Sequence, residues 1–204
     1  ILLASHWLLR KDTPLNEKVY RVLAGVQIVL LFVIMASAVQ RLFLLTGNLG
    51  YGLTTVRFYP MVVMLWFAVV FIWFGLTVLR GARQYFAWGA LWSALFVLAG
   101  VHVLNPDSFI VRTNIGLMKQ GREFDAYYNV TELSDDAVPA LIESIDSMSM
   151  EDKCWIDYEL RRRSENERSD DLRSFSFSRS KAKELMKTFG PQIDASQCQG
   201  KPWL

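Results

Sequence analysis

Three stretches of the chain, Val22 to Val39, Phe58 to Leu79 and Gln84 to Pro106, contain no Lys, Arg, Asp or Glu. A helix rises about 1.5 Å per residue, so about 20 apolar residues cross a hydrocarbon core of about 30 Å. The last two stretches exceed that length and are joined only by Arg80, Gly81, Ala82 and Arg83, which predicts a transmembrane helical hairpin. The first stretch is entered from a basic cluster and has Gln27 and Ser37 as its main polar interruptions. The predicted spans are about 20–46, 56–80 and 84–105. Thr13-Pro14 suits a helix start, because Thr caps and Pro is tolerated where the amide has no partner. The glycine-rich turn from Gly47 to Gly52 separates the first span from Thr54, a cap for the second, in which Pro60 sits early enough to bend the helix without ending it. The opening Ile1 to Leu9 is apolar without a basic flank, which reads as the end of an earlier span over 1–10 or as a clipped beginning.

After Pro106 the pattern changes. Asn105-Pro106-Asp107 ends the third span, since Pro lacks the helical donor and biases the preceding residue away from helix. Phe124 to Leu133 and Ser134 to Ile145 read as a helix pair, the second capped by Ser134 or Asp136, with Pro139 in its first turn. Cys154, Ile156, Tyr158 and Leu160 alternate with Trp155, Asp157 and Glu159, a period of two that predicts a strand. Phe175 and Phe177 alternate with serines, so a β-hairpin of about 154–160 and 172–178 is expected. A last helix is expected from about Ser178 to Thr188, stopped by Gly190-Pro191. The fold class is thus mainly α: a transmembrane helical domain over 1–106 and a small, mostly helical extracytoplasmic domain over 107–204.

Charge sharpens this division. Of the 204 residues, the first 106 carry a net charge of +6 and the remainder −4, so the overall +2 is a sum of two unlike parts and does not describe a nucleic-acid binder. Arg10, Lys11, Lys18, Arg21, Arg80 and Arg83 fall on one side of the predicted spans, and Arg41 and Arg57 on the other. The excess marks the cytoplasmic side, which places the second half outside the cytoplasmic membrane. Cys154 and Cys198 both lie in that half. In an oxidising compartment a disulfide between them, closing a loop of about 45 residues, is worth about 3 to 4 kcal/mol; the alternative is two free thiols.

Several segments together resemble a known family. Tyr51-Gly52-Leu53-Thr54 with Arg57, Asn105-Pro106-Asp107 running to Asn114, and Leu133-Ser134-Asp135-Asp136-Ala137-Val138-Pro139-Ala140-Leu141 are similar to the C-terminal part of a bacterial family of multi-span membrane proteins, domain of unknown function 4173. Arg173-Ser174-Phe175 with Ser178-Arg179 is a weaker likeness to its closing segment. The resemblance implies a polytopic architecture in a bacterial envelope. It carries no activity, and no catalytic residue or cofactor comes with it.

Candidate chemistry is sparse. His102 near the outer end of the third span is a candidate cofactor ligand, but His6 falls towards the opposite face of the bilayer, so the two cannot ligate one haem within a subunit. Trp66, Trp73, Trp88 and Trp92 form an aromatic surface suited to lipid or partner contact, or to a pigment or quinone. Asp135 and Asp136 are adjacent, which does not set two carboxylates on one helix face, and they fit capping better than acid–base work or calcium. Arg161, Arg162 and Arg163 read as a solvated surface or a site for an anionic partner. No metal-binding motif, phosphate loop or nucleophile motif is present. The expectation is a non-enzymatic accessory subunit of a larger bacterial inner-membrane complex, a photosynthetic or respiratory assembly being one host, bound to lipids and other subunits. The alternative is a sensory membrane protein with an outer ligand- or partner-binding domain.

Overall fold

The computed structural model describes residues 14–48, 52–166, 184, 185 and 198. Among these residues all regular structure is helical. Helix α1 (Pro14–Phe43) runs into a π-helical turn at Leu44–Asn48, α2 covers Thr55–Thr77, and a 3-10 turn at Arg83–Tyr85 leads into α3 (Phe86–Leu104). Four shorter helices follow: α4 (Pro106–Met118), α5 (Ala126–Thr131), α6 (Val138–Ser144) and α7 (Met150–Asn166). Contacts divide the chain into two units, one of 1–44 and 59–103 and one of 45–58 and 104–204. The turn between the first two long helices therefore belongs with the C-terminal half, which a single boundary at residue 106 does not capture.

Lys18–Gly47, Thr55–Thr77 and Phe86–Leu104, which lie mostly in the first unit, are long and apolar enough to cross a membrane, α2 beginning four residues before the second segment of that unit. Little of their surface is covered by the rest of the chain. In α1 the covered positions recur at helical spacing, Tyr20, Ala24, Ile28, Phe32, Met35 and Val39, while Val22, Leu23, Val26, Val29, Leu30, Val33 and Ile34 face outward. A water-soluble helix would place polar residues on that outer face. The inner stripe brings Phe32 edge-on to Phe71 of α2, with ring centroids 6.3 Å apart.

The α2–α3 hairpin is held by aromatic and hydroxyl groups. Trp66 Nε1 donates to Ser93 Oγ at 3.2 Å, and that hydroxyl donates to Ala90 O at 2.8 Å. Phe74 meets Phe86 edge-on at 5.5 Å. Trp73 lies against Gly89, where an added Cβ would fall 2.1 Å from its Nε1, so only the missing side chain allows the approach. Pro60 lies inside α2, which continues through it as expected.

In the second unit, Asn105 adopts the left-handed region (φ 51°) and its Oδ1 accepts from Ser108 N at 3.3 Å, capping α4. Pro106 thus both ends α3 and occupies the first turn of α4, where its missing N–H costs nothing. Ile110, Val111, Asn114 and Ile115 form the buried face of α4. With Val130, Val138, Leu141 and Ile156 they make the core of this unit.

Of the expected helix pair, the first is α5, capped by Asp125, whose Oδ1 accepts from Tyr128 N at 2.8 Å. The second begins as a 3-10 turn, Asp135–Ala137, capped by Ser134, and continues as α6 with Pro139 in its first turn. The strand expected at 154–160 is a helix. Ser149 Oγ accepts from Asp152 N at 3.2 Å and donates to Asp152 Oδ2 at 2.6 Å, an N-terminal cap that nucleates α7. Ion pairs Asp157–Arg161 and Glu159–Arg163 at i,i+4 continue it, and Cys154, Ile156, Glu159 and Leu160 are buried at helical spacing. The strand at 172–178 lies outside the described residues. So does the expected last helix apart from Glu184 and Leu185, both helical, and so does the earlier span over 1–10.

Candidate functional site

The glycine-rich turn, α4 and α5 are joined by a polar seam centred on Asn114. Its Oδ1 accepts from Leu53 N at 2.6 Å, while its Nδ2 donates to Leu53 O at 2.9 Å and to Asn129 Oδ1 at 2.9 Å. Both amide hydrogens are used, and the side chain pairs with Leu53 as a neighbouring strand would. Asn129, 1% exposed, passes the connection on, its Nδ2 donating to Asp125 O at 2.8 Å. Thr55 N donates to Tyr128 Oη at 2.7 Å, and Thr55 Oγ1 shares a hydrogen with the same phenol at 3.1 Å. Arg57 donates to Gly52 O. Gly52 has φ +67°, and a Cβ there would fall 2.9 Å from Asn114 Oδ1, so glycine is required for both conformation and space.

At the other end of α4, Asp107 Oδ2 accepts from Ser134 N at 3.0 Å and from Ser134 Oγ. The described parts of the three segments that carry the family resemblance, 52–57, 105–114 and 133–141, therefore meet in one unit through direct hydrogen bonds. Arg163, 22% exposed, supports the same corner: it donates to Val130 O and to Leu133 O (3.3 Å) and pairs with Asp135 at 3.7 Å. Beside it Glu159, 3% exposed, accepts from Arg162 Nε and NH2 at 2.8 and 2.7 Å. Its hydrogen bond and charge hold the Arg162 guanidinium above its ordinary range.

A cleft of about 440 Å³ opens along the seam, with Arg57, Glu123, Asp125 and Tyr128 among its lining. This volume lies within the range of small-molecule sites, about 300 to 1,000 Å³. Asn114 and Leu53, bonded to each other, are part of that lining, in which Arg57 is half-buried and Glu123 and Asp125 are exposed. The Tyr128 phenol in this lining is engaged by Thr55.

Elsewhere the candidate residues are dispersed. His102 is exposed on α3, and among the described residues no group of three His, Cys, Asp or Glu could hold a metal ion. Trp66 and Trp73 are engaged within the hairpin. Trp88 and Trp92, 67% and 42% exposed, lie tilted against each other with ring centroids 5.4 Å apart, and Phe96 extends the row at 5.9 Å. Cys154 and Cys198 are joined by a disulfide with Cα atoms 5.6 Å apart. The Asp135 carboxylate pairs with Arg163, while the backbone N–H of Asp136 donates to Ser134 Oγ at 3.3 Å. Sequence reasoning missed the seam and its cleft; the signal was polar Asn114 at the spacing of Ile110, Val111 and Ile115.

No curated protein and no solved structure matches the chain. A family model for a domain of unknown function matches residues 1–144, which include the whole seam. The resemblance to a family without an assigned activity holds at that level, whereas the designation 4173 is not confirmed. The chain belongs to the family of the domain of unknown function DUF4153.

Proposed function

We propose that this protein is a non-enzymatic integral membrane protein of the bacterial inner membrane and serves as a structural or accessory subunit of a larger complex there. The observation that carries this reading is the outward row Trp88, Trp92 and Phe96 on α3, a helix with no buried residue. A rigid aromatic ladder of this kind offers large contact area at low entropic cost, to lipid or to a neighbouring subunit's helix. A photo-crosslinking side chain placed at Trp88 in cells tests it: a defined protein adduct is expected. Crosslinking to lipid alone, together with purification solely as a lone monomer in mild detergent, refutes the subunit role.

Topology supports the same reading. A chain that crosses through α2 and returns through α3 brings residues 52–57 and 105–134 to one side of the bilayer, and the Leu53–Asn114 pairing needs them together. The basic residues favour the cytoplasm for the opposite side, and a disulfide persists in an oxidising compartment. On these grounds we read the second unit as extracytoplasmic. After reduction, a maleimide unable to cross the membrane is expected to label Cys154 and Cys198 in intact cells; labelling only after lysis reverses the orientation.

A second reading, a sensory membrane protein whose outer unit binds a ligand, is favoured by the cleft along the seam. It requires occupancy of that cleft to change the protein's partners.

A further inference from the structure

We infer that two copies of this chain pair side by side through α1, the Gln27 amide of one hydrogen-bonded to the Gln27 amide of the other within the membrane. The pairing rests on the reading of α1 as a span. Gln27 stands inside the uncharged run Val22 to Val39, six residues beyond Arg21 and thus about 9 Å further along the helix. It lacks the long stem by which Lys and Arg reach back to the headgroup layer. Its side chain is exposed, and among the described residues its amide makes no hydrogen bond. Polar side chains of the α2–α3 hairpin are provided for: Trp66 donates to Ser93, Ser93 to Ala90 O, and Thr77 Oγ1 to Trp73 O at 2.6 Å. Hydrocarbon offers an amide neither donor nor acceptor, so the partner of Gln27 has to come from another helix.

The surroundings of Gln27 specify what kind of helix that is. Leu23, Gln27, Leu30, Ile34 and Ser37 follow at alternate spacings of four and three, and all are exposed. Leu23, Leu30 and Ile34 each keep more than half of their surface uncovered, at 63%, 57% and 64%. This is the spacing of two helices wound in a left-handed pair, where a single polar residue in the apolar seam fixes register. Two copies inserted the same way run parallel and set the same residue at the same depth, as a two-fold axis along the membrane normal requires. An amide carries one acceptor oxygen and two donor hydrogens, so it complements itself. A second copy therefore brings the needed group to the needed depth, and an unrelated helix does so only with a polar residue of its own at that level.

The test uses the full chain in cell membranes. A photo-crosslinking side chain at Leu30 is expected to give an adduct of twice the chain's mass, and the same group at Val29, exposed but off the seam, is expected to give none. Two differently tagged copies, expressed together and extracted in mild detergent, are expected to copurify. Gln27→Leu keeps the bulk and helix preference of the side chain and removes the amide. Lipid tails are as apolar as leucine, so the all-apolar seam gains nothing over lipid, and copurification is expected to fall about fivefold or more while the amount of inserted chain is unchanged. A Leu30 adduct with a different protein or with lipid alone overturns the pairing, as does undiminished copurification in Gln27→Leu. Crosslinking from Trp88 on α3 reports separately on the accessory role. A chain that leaves the membrane without detergent refutes the spans and the pairing together, whereas one that stays inserted as a monomer refutes the pairing and leaves the spans standing.

Discussion

Asn114 shows how one amide can take the place of a length of backbone pairing. It satisfies both main-chain groups of Leu53 and still reaches Asn129, so its loss leaves three buried polar partners without their mates. Asn114→Ala is expected to destabilise the protein by about 2 to 4 kcal/mol, read as a lowered midpoint in denaturant at constant detergent. Gly52→Ala acts on the same contact from the other side. A left-handed backbone carrying a Cβ pressed on Asn114 Oδ1 costs about 2 kcal/mol, measurable in the same way. These effects were only partly legible in the sequence. Gly52, Asn114 and Ser134 stood out as members of recurrent motifs, yet nothing along the chain said that they converge, because pairing across 61 residues leaves no local trace. Arg163 was misread for the same reason: three consecutive arginines look like a solvated surface, and only the fold turns the third one inward onto carbonyl oxygens.

Among the elements, the long helices were the most legible, since length and the absence of charge define a span without any need for periodicity. Their ends depend on particular residues. Pro106 was read as a stop, which hid α4, because the same proline serves equally well in a first turn when an asparagine caps it. The false strand at 154–160 arose where two periods coincide: Cys154, Ile156 and Leu160 suit an alternating pattern and equally the buried stripe of α7. The Ser149 cap and the Glu159–Arg163 spacing were the signals that separate the two. The hairpin carries its own prediction. Gly89→Val would force Trp73 away from α3 and is expected to cost about 1 to 3 kcal/mol, seen as earlier dissociation of α2 from α3 in a detergent unfolding series. Substitution of outward-facing Phe96 by Leu is the matching control, expected to leave that series unchanged.

For the whole molecule, the disulfide closes a loop of 44 residues and fastens residue 198 to α7. Cys154→Ser with Cys198→Ser is expected to lower stability by about 3 to 4 kcal/mol, and a reducing agent should lower the wild-type midpoint by the same amount while leaving the double variant unmoved. The two-unit division was less legible than the spans. Composition separates a greasy half from an acidic one, but nothing in the composition of 45–58 declares which unit it joins, and its bonds to α4 and α5 decide it.

That interleaving constrains the order in which a ribosome can complete the protein. Leu53 leaves the exit tunnel 61 residues ahead of Asn114, an interval of about 3 to 12 s at ordinary elongation rates. Throughout that interval the turn has neither its asparagine nor its tyrosine, while the two intervening helices are being delivered to the translocation machinery. A nascent chain arrested just short of α4 would therefore hold a finished hairpin and an uncovered, protease-accessible turn, and release of a few dozen further residues would close it.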